Sequence, residues 1–318
     1  YLFQGDLTRT GASLGGTIRI PTPTGFAALG NVPLRAGQSV ASRQAVLGQL
    51  AFLQNIYALN PQFRNLTNVC VNNTSTPTPT NPCPGGTIIQ TGQTNIGISQ
   101  PVDAFNHTFR FDHKLFDSDN LTVRYIRNKS DSTNVISNLN FGPLFSGDQA
   151  LVDQNLAISE AHVFNSSVVN EFRFSFIRRD LNFPENDPVT PTTTIGGLVA
   201  FGGASNFPQS RITDFFQYSD TVTWVTGKHT FKFGGDIRRN LFDNFSGFDL
   251  KGTFAFANLQ EFLNNNATTF TQAFSAADFD AAQWQQFYFF QDDWRVTQSL
   301  TLNLGPRYET ADVPFGFF

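Results

Sequence analysis

Arg110, Arg124, Arg173, Lys232 and Arg307 each sit in a stretch where polar and apolar residues alternate, on the polar side of the alternation. Cations spaced this way along a wet wall can pair with a segment packed against it, line the path of a solute, or simply solvate the wall. The other candidates are the four histidines, His107, His113, His162 and His229. Asp112-His113 has the makings of an acid–base pair, but neighbours in a strand point to opposite faces and cannot share a site. His113 is expected at a turn-proximal interface, and His229, which opens a strand after Gly227-Lys228, in a belt of aromatic residues. No GxSxG, HExxH or CxxC occurs. The glycine pairs of "FGGDI" and "GGTI" are not phosphate loops, and Gly234-Gly235 in a strand marks a bend or a close backbone approach. No catalytic residue, metal site or cofactor is expected, and the chain is read as something other than an enzyme.

The elements that must position these residues follow from periodicity. A 3.6-residue period occurs once, in residues 38–59, where Val40, Val46, Leu47, Leu50, Leu53 and Tyr57 share one stripe between Gly37 and Pro61. Elsewhere the period is two. Phe105, Phe109, Phe111 and Leu115 oppose Asn106, Thr108, Arg110, Asp112 and Lys114. Phe172, Phe174 and Phe176 oppose Glu171, Arg173 and Ser175, and Tyr218, Val222 and Trp224 oppose Gln217, Ser219 and Thr223. This is the dyad pattern of strands with two unlike faces. Four links are short and rich in turn residues: "FDSDN", "NSSV", "TGK" and "TQS". The others, about 10–100, 131–155, 181–212 and 241–283, are long. Tight turns on one rim and large loops on the other are what a transmembrane β-barrel shows. One leading strand (about 1–8) and four hairpins make about nine strands.

Composition agrees with that reading. Of 318 residues 14% are charged, against about 25% in a soluble domain. Aromatics make up 14%, with 36 Phe, yet mean hydropathy is -0.20. No run approaches the roughly 20 apolar residues of a spanning helix. The net charge of -4 comes without a basic stripe, so nucleic acid is no partner. Cys70 and Cys83 flank a polar, Pro- and Thr-rich loop. A bridge there would stabilise by roughly 3 kcal/mol and argues for an oxidising, extracytoplasmic place. Trp224, Trp284, Tyr288, Trp294 and Tyr308 are the expected aromatic girdle, because their rings have one apolar and one polar end. Leu300, Leu302 and Leu304 should face lipid, while Thr301, Asn303 and Arg307 face the lumen.

"FFQDDWRVTQSLTLNLGPRYE" resembles the FxQDDWRVTxxLTLNLGLRYE segment of TonB-dependent outer-membrane receptors, specifically the Oar-like group. "FNHTFRFDHKLFDSDNLTVRY", "VVNEFRFSFIRRDLNFP", "TVTWVTGKHTFKFGGDIRR" and the opening "YLFQGDLTRTG" are similar to further segments of that group, in order. Pro306 stands where the family has Leu. A proline removes a ladder donor, so the strand should be locally unpaired or bulged there.

The resemblance implies a partial up-and-down antiparallel barrel in the outer membrane of a Gram-negative bacterium. Residues 1–318 would be one segment of a receptor barrel of about 22 strands, with 10–102 a long extracellular loop holding one short helix at about 38–59. Its partners would be outer-membrane lipid and, through a plug domain absent from this chain, the TonB energy-coupling system. Its function would be movement of a large solute across the outer membrane. The alternative is a surface-exposed structural or adhesive β-protein that does not transport. Tyr1 without a leader, and "TADVPFGFF" without the alternation of a closing strand, suggest a frame that continues.

Overall fold

The computed structural model describes residues 2–72, 74, 76–135 and 145–316. In chain order the elements are β1 (Leu2–Pro21), α1 (Pro23–Leu29), α2 (Val40–Gly48), α3 (Leu53–Leu59), β2 (Arg64–Val71), β3 (Thr87–Phe116) and β4 (Asp119–Ser132). There follow β5 (Gln149–Asn165), β6 (Val168–Phe183), β7 (Thr192–Ile195), β8 (Gln209–Thr226), β9 (His229–Ser246), β10 (Thr253–Phe256), α4 (Leu259–Leu263) and β11 (Thr269–Thr271). The last are β12 (Ala277–Arg295), β13 (Thr301–Leu304), β14 (Arg307–Ala311) and β15 (Phe315–Gly316).

The large sheet is antiparallel, in the order β1-β3-β4-β5-β6-β8-β9-β12, with β13, β14 and β15 together filling a ninth place beside β12. This is the expected up-and-down meander of nine positions. The pairing of β1 with β3 runs from Leu2↔Arg110 to Pro21↔Thr91 without a slip. Register irregularities in β3–β4 and β5–β6 fall beside the tight turns, at Lys114/Phe116 and Val163/Asn165. The register carries one face across the sheet: Arg110, Arg124, Ala157, Ser175, Gln217, Arg238 and Gln285 are successive partners. Since side chains alternate along each strand, every second residue from these shares their polar face.

Pro306 interrupts the ninth strand without shifting it. Asp292 pairs with Leu304 and Phe289 with Arg307, so the residue numbers of partners add to the same value on both sides. The strand is unpaired there rather than bulged. Phe290 N–H still donates to the Pro306 carbonyl at 3.2 Å.

Three expectations change in the loops. The strands are longer than the alternation suggested, so the first loop spans 22–86 rather than 10–102. The single helix of 38–59 is two, α2 and α3, and with α1 and α4 the loops hold four short helices rather than one. Between α2 and α3 the backbone tightens into i→i+3 bonds: Gln49 N–H to Val46 O, Leu50 to Leu47 and Leu53 to Leu50. Gly48 costs a helix interior about 1 kcal/mol, and the tighter turn brings Val46, Leu50, Leu53 and Ile56 to the same core.

That core is a cap. Leu29, Val46, Leu53, Ile56, Phe201, Phe256, Phe262 and Leu263, from three different loops, bury together with Ile18, Ile20 and Ile96 on the polar-face side of the ends of β1 and β3. A side chain of this size contributes about 1.5–3 kcal/mol when fully buried. Buried Arg43 locks the cap: it donates to the carbonyls of Leu263 (3.0 Å), Val32 (2.9 Å) and Pro33 (3.3 Å). Val199 N–H reaches the Arg19 carbonyl of β1 at 2.9 Å, so the loop after β6 meets the first strand. The sheet must curl strongly for that contact to form.

Candidate functional site

The curl creates a concavity of about 560 Å³ on the polar face. Arg110, Arg124, Arg173, Glu171, Gln217 and Asp236 are among its lining residues. They come from β3, β4, β6, β8 and β9, held in place by the register alone. Of the five sequence-picked cations the concavity gathers Arg110, Arg124 and Arg173. Lys232 and Arg307 share the same face but lie closer to the turns, Lys232 across from Thr223 and Gln291, Arg307 across from Phe289.

Most charges on this wall are matched along their own strand. Arg110 donates to Asp112 (2.8 and 2.9 Å), which also accepts from Thr122 (2.8 Å). Arg173 donates to Glu171 (3.0 Å). Asp236 accepts from Arg238 (2.6 Å) and Gln217 (2.5 Å), and the Arg238 guanidinium lies 4.6 Å from the Phe287 ring centre. Each pair is two residues apart, the spacing that puts both side chains on one face. The motifs R-x-D, E-x-R and D-x-R carried this signal. Arg110 and Arg173 are among the sequence candidates without their partners Asp112 and Glu171, and neither Asp236 nor Arg238 is a candidate. Arg124 differs. It sits directly across from Arg110 and has no hydrogen-bond or ion-pair partner among the described residues.

The other face is apolar and exposed, with Phe109 41%, Trp224 44%, Tyr288 41%, Phe290 44% and Leu304 54% open. Soluble proteins rarely leave so large an apolar surface uncovered. All five expected girdle residues fall on this face by register. Trp224 packs on Phe231 (5.5 Å) and Trp294 stacks on His229 (5.5 Å) near the turns. Trp284 lies under the Arg239 guanidinium (4.9 Å) near the far end, and Tyr288 pairs with Tyr308 between them. Trp284 and Trp294 are ten residues apart in β12. That is about 33 Å along a strand, or about 25 Å along the normal at a tilt of about 40°, the height of a barrel's apolar band.

The histidines separate as their positions required. Asp112 lies on the polar face beside Arg110, while His113 points the other way and stacks on Phe111 (5.6 Å). His229 also bonds Asp292 at 2.7 Å, so Asp292 lies on the apolar face with a partner rather than free in the turn. His162 bonds Asp119 at 2.5 Å on the same face, with Glu160 beside them. Gly234 marks a close approach, since a Cβ there would stand 2.3 Å from the Asp220 carbonyl oxygen. In the cap Cys70 and Cys83 form a disulfide, with Cα atoms 5.4 Å apart.

A protein-family profile described as outer membrane beta barrel domain matches residues 5–316. Among solved structures the chain is similar to the crystal structure of the outer membrane transporter YddB from Escherichia coli, with a TM-score of 0.43 and 10% identity. That alignment covers 67% of this chain and 28% of the transporter, so the chain corresponds to well under half of that protein's length. A search of curated proteins returns no match.

Proposed function

We propose, from the premise that this chain belongs to the outer membrane β-barrel domain family, that it forms part of the wall of a TonB-dependent transporter of the Oar-like group. The wall would guide a large solute through the outer membrane. Its location there follows from the family, and contact of the apolar face with lipid follows from the location. The observation that carries the reading is the polar wall. Arg110, Arg173 and Asp236 are tied in strand-wise pairs, while Arg124 stands unpaired in a concavity that six strands build. Paired charges keep a wide lumen wet without drawing the wall together, and an unpaired guanidinium is free to meet a plug or a solute. A plug domain from elsewhere in the protein would fill the lumen that this wall borders. No catalytic role, cofactor or metal belongs to this reading.

The test is solute depletion by cells that express the complete protein, compared with a deletion strain, with and without a protonophore. Depletion of a solute above the porin size limit that stops when the proton gradient collapses supports the reading. Depletion unchanged by the protonophore argues against TonB coupling. Absence of any difference from the deletion strain overturns transport and leaves the structural or adhesive role.

A further inference from the structure

We infer that three outward-facing arginines, Arg127, Arg178 and Arg239, form a binding belt for the phosphate groups of outer-leaflet lipid headgroups. All three lie on the apolar face by register: Arg127 pairs with Gln154, which pairs with Arg178, which pairs with Asp214, and Arg239 pairs with Trp284. Arg127 and Arg178 stand just beyond Tyr125 and Phe176, the last apolar side chains on that face of their strands, while Arg239 stands between Ile237 and Leu241.

Height places them at one level. Arg127 is nine residues past the turn residue Ser118, Arg178 eleven past Ser167, and Arg239 eleven past Lys228. At about 3.3 Å per residue and a tilt of about 40°, all three stand about 23–28 Å above the turns. With an apolar band about 25 Å tall, that level is the headgroup boundary on the cap side. The short turns of such barrels face the periplasm and the long loops face outward, so this boundary belongs to the outer leaflet.

Their pairing leaves donors to spare. Arg127 has no hydrogen-bond or ion-pair partner among the described residues. Arg239 rests its guanidinium 4.9 Å over Trp284, and its Nε is buried without an acceptor. Only Arg178 has a carboxylate, Asp214, at 3.2 Å. The register row beyond Arg127 and Arg178 adds carboxylates, with Val152 and Ile212 between them. Lys129 is paired there with Asp131 (2.7 Å), and Asp180, Asp243 and Asp280 occupy the same register row. Guanidinium planes match phosphate oxygens two at a time, and neighbouring alternate strands set Arg127 and Arg178 about 10 Å apart, a span that one diphosphorylated headgroup can bridge.

This inference rests on the membrane orientation but not on transport, so its test is separate. The complete protein in detergent is titrated with diphosphorylated lipid A and with the same lipid stripped of phosphate, and bound lipid is read by native mass spectrometry. The wild type should bind the phosphorylated form at least ten-fold more tightly, and excess inorganic phosphate should weaken that binding without replacing it. The R127Q/R178Q/R239Q variant should lose the preference. Should the triple variant fail to fold, judged by heat-shifted gel migration, R127K and R239K keep the charge and lose the fork, and each should reduce the preference several-fold. Equal binding of both lipids by the wild type overturns the proposal, as does an undiminished preference in folded variants.

Discussion

At the scale of single residues the cap depends on one buried ion pair. Lys251 donates to Glu185 at 2.5 Å, with side chains only 10% and 4% exposed. Burial holds the Glu185 carboxyl above the ordinary range, opposed by Lys251. Beside it burial pushes Asp187 up, but hydrogen bonds from Thr190 and Val189 outweigh this and hold it below the ordinary range. Lys251→Met should destabilise the cap by about 3–5 kcal/mol, the usual cost of stranding a buried charge. A raised carboxyl favours the folded state at low pH, and that stability is lost as pH rises through the folded value. The K251M defect should therefore be larger at pH 8 than at pH 5, measured as hydrogen exchange across 184–208 and 247–276. A defect that grows toward acid would contradict the assignment. None of this pair was visible in the sequence, since Lys251 and Glu185 lie in separate loops without periodicity. The wall charges were half visible: alternation exposed Arg110 and Arg173, while their partners needed the further step of reading two residues along.

At the scale of elements the strands were legible and the loops were not. Alternation, turn chemistry and loop asymmetry each reported the same meander. Strand ends beyond the membrane escaped because Thr-, Gly- and Gln-rich stretches such as 87–100 do not alternate apolar with polar. The cap escaped because its core is assembled across loops, and no local pattern announces that Ile20, Leu53 and Phe262 will meet. Two predictions belong here. Pro306→Leu should restore the donor opposite Phe290 and add about 0.5–1.5 kcal/mol, read as slower exchange at residues 290 and 304–307. Unchanged exchange would mean that the gap has another cause. Cys70→Ser with Cys83→Ser should cost the cap roughly 3 kcal/mol, seen as faster proteolysis within 60–86, while the β3–β12 wall keeps its protection. Equal loosening of both would show that the cap and the wall unfold as one unit.

At the scale of the whole molecule, one sheet presents a wet wall to one side and an aromatic wall to the other. Apart from the Val199 contact with Arg19, the free edge of β1 and that of the ninth strand have no strand partner among the described residues. Backbone groups left bare within a bilayer cost several kcal/mol each, so both edges require neighbouring strands in the membrane. The assignment of the two faces underlies both the wet wall and the lipid contact. It is tested most directly by single-cysteine scanning of β8 in the complete protein, in intact outer membranes, with a water-soluble maleimide. Cys70 and Cys83 are joined as a disulfide and will not react. Cysteines at Gln217, Ser219 and Thr221 should label, and those at Phe216, Tyr218 and Val222 should not. Labelling that fails to alternate, or that alternates in the opposite phase, would contradict the account.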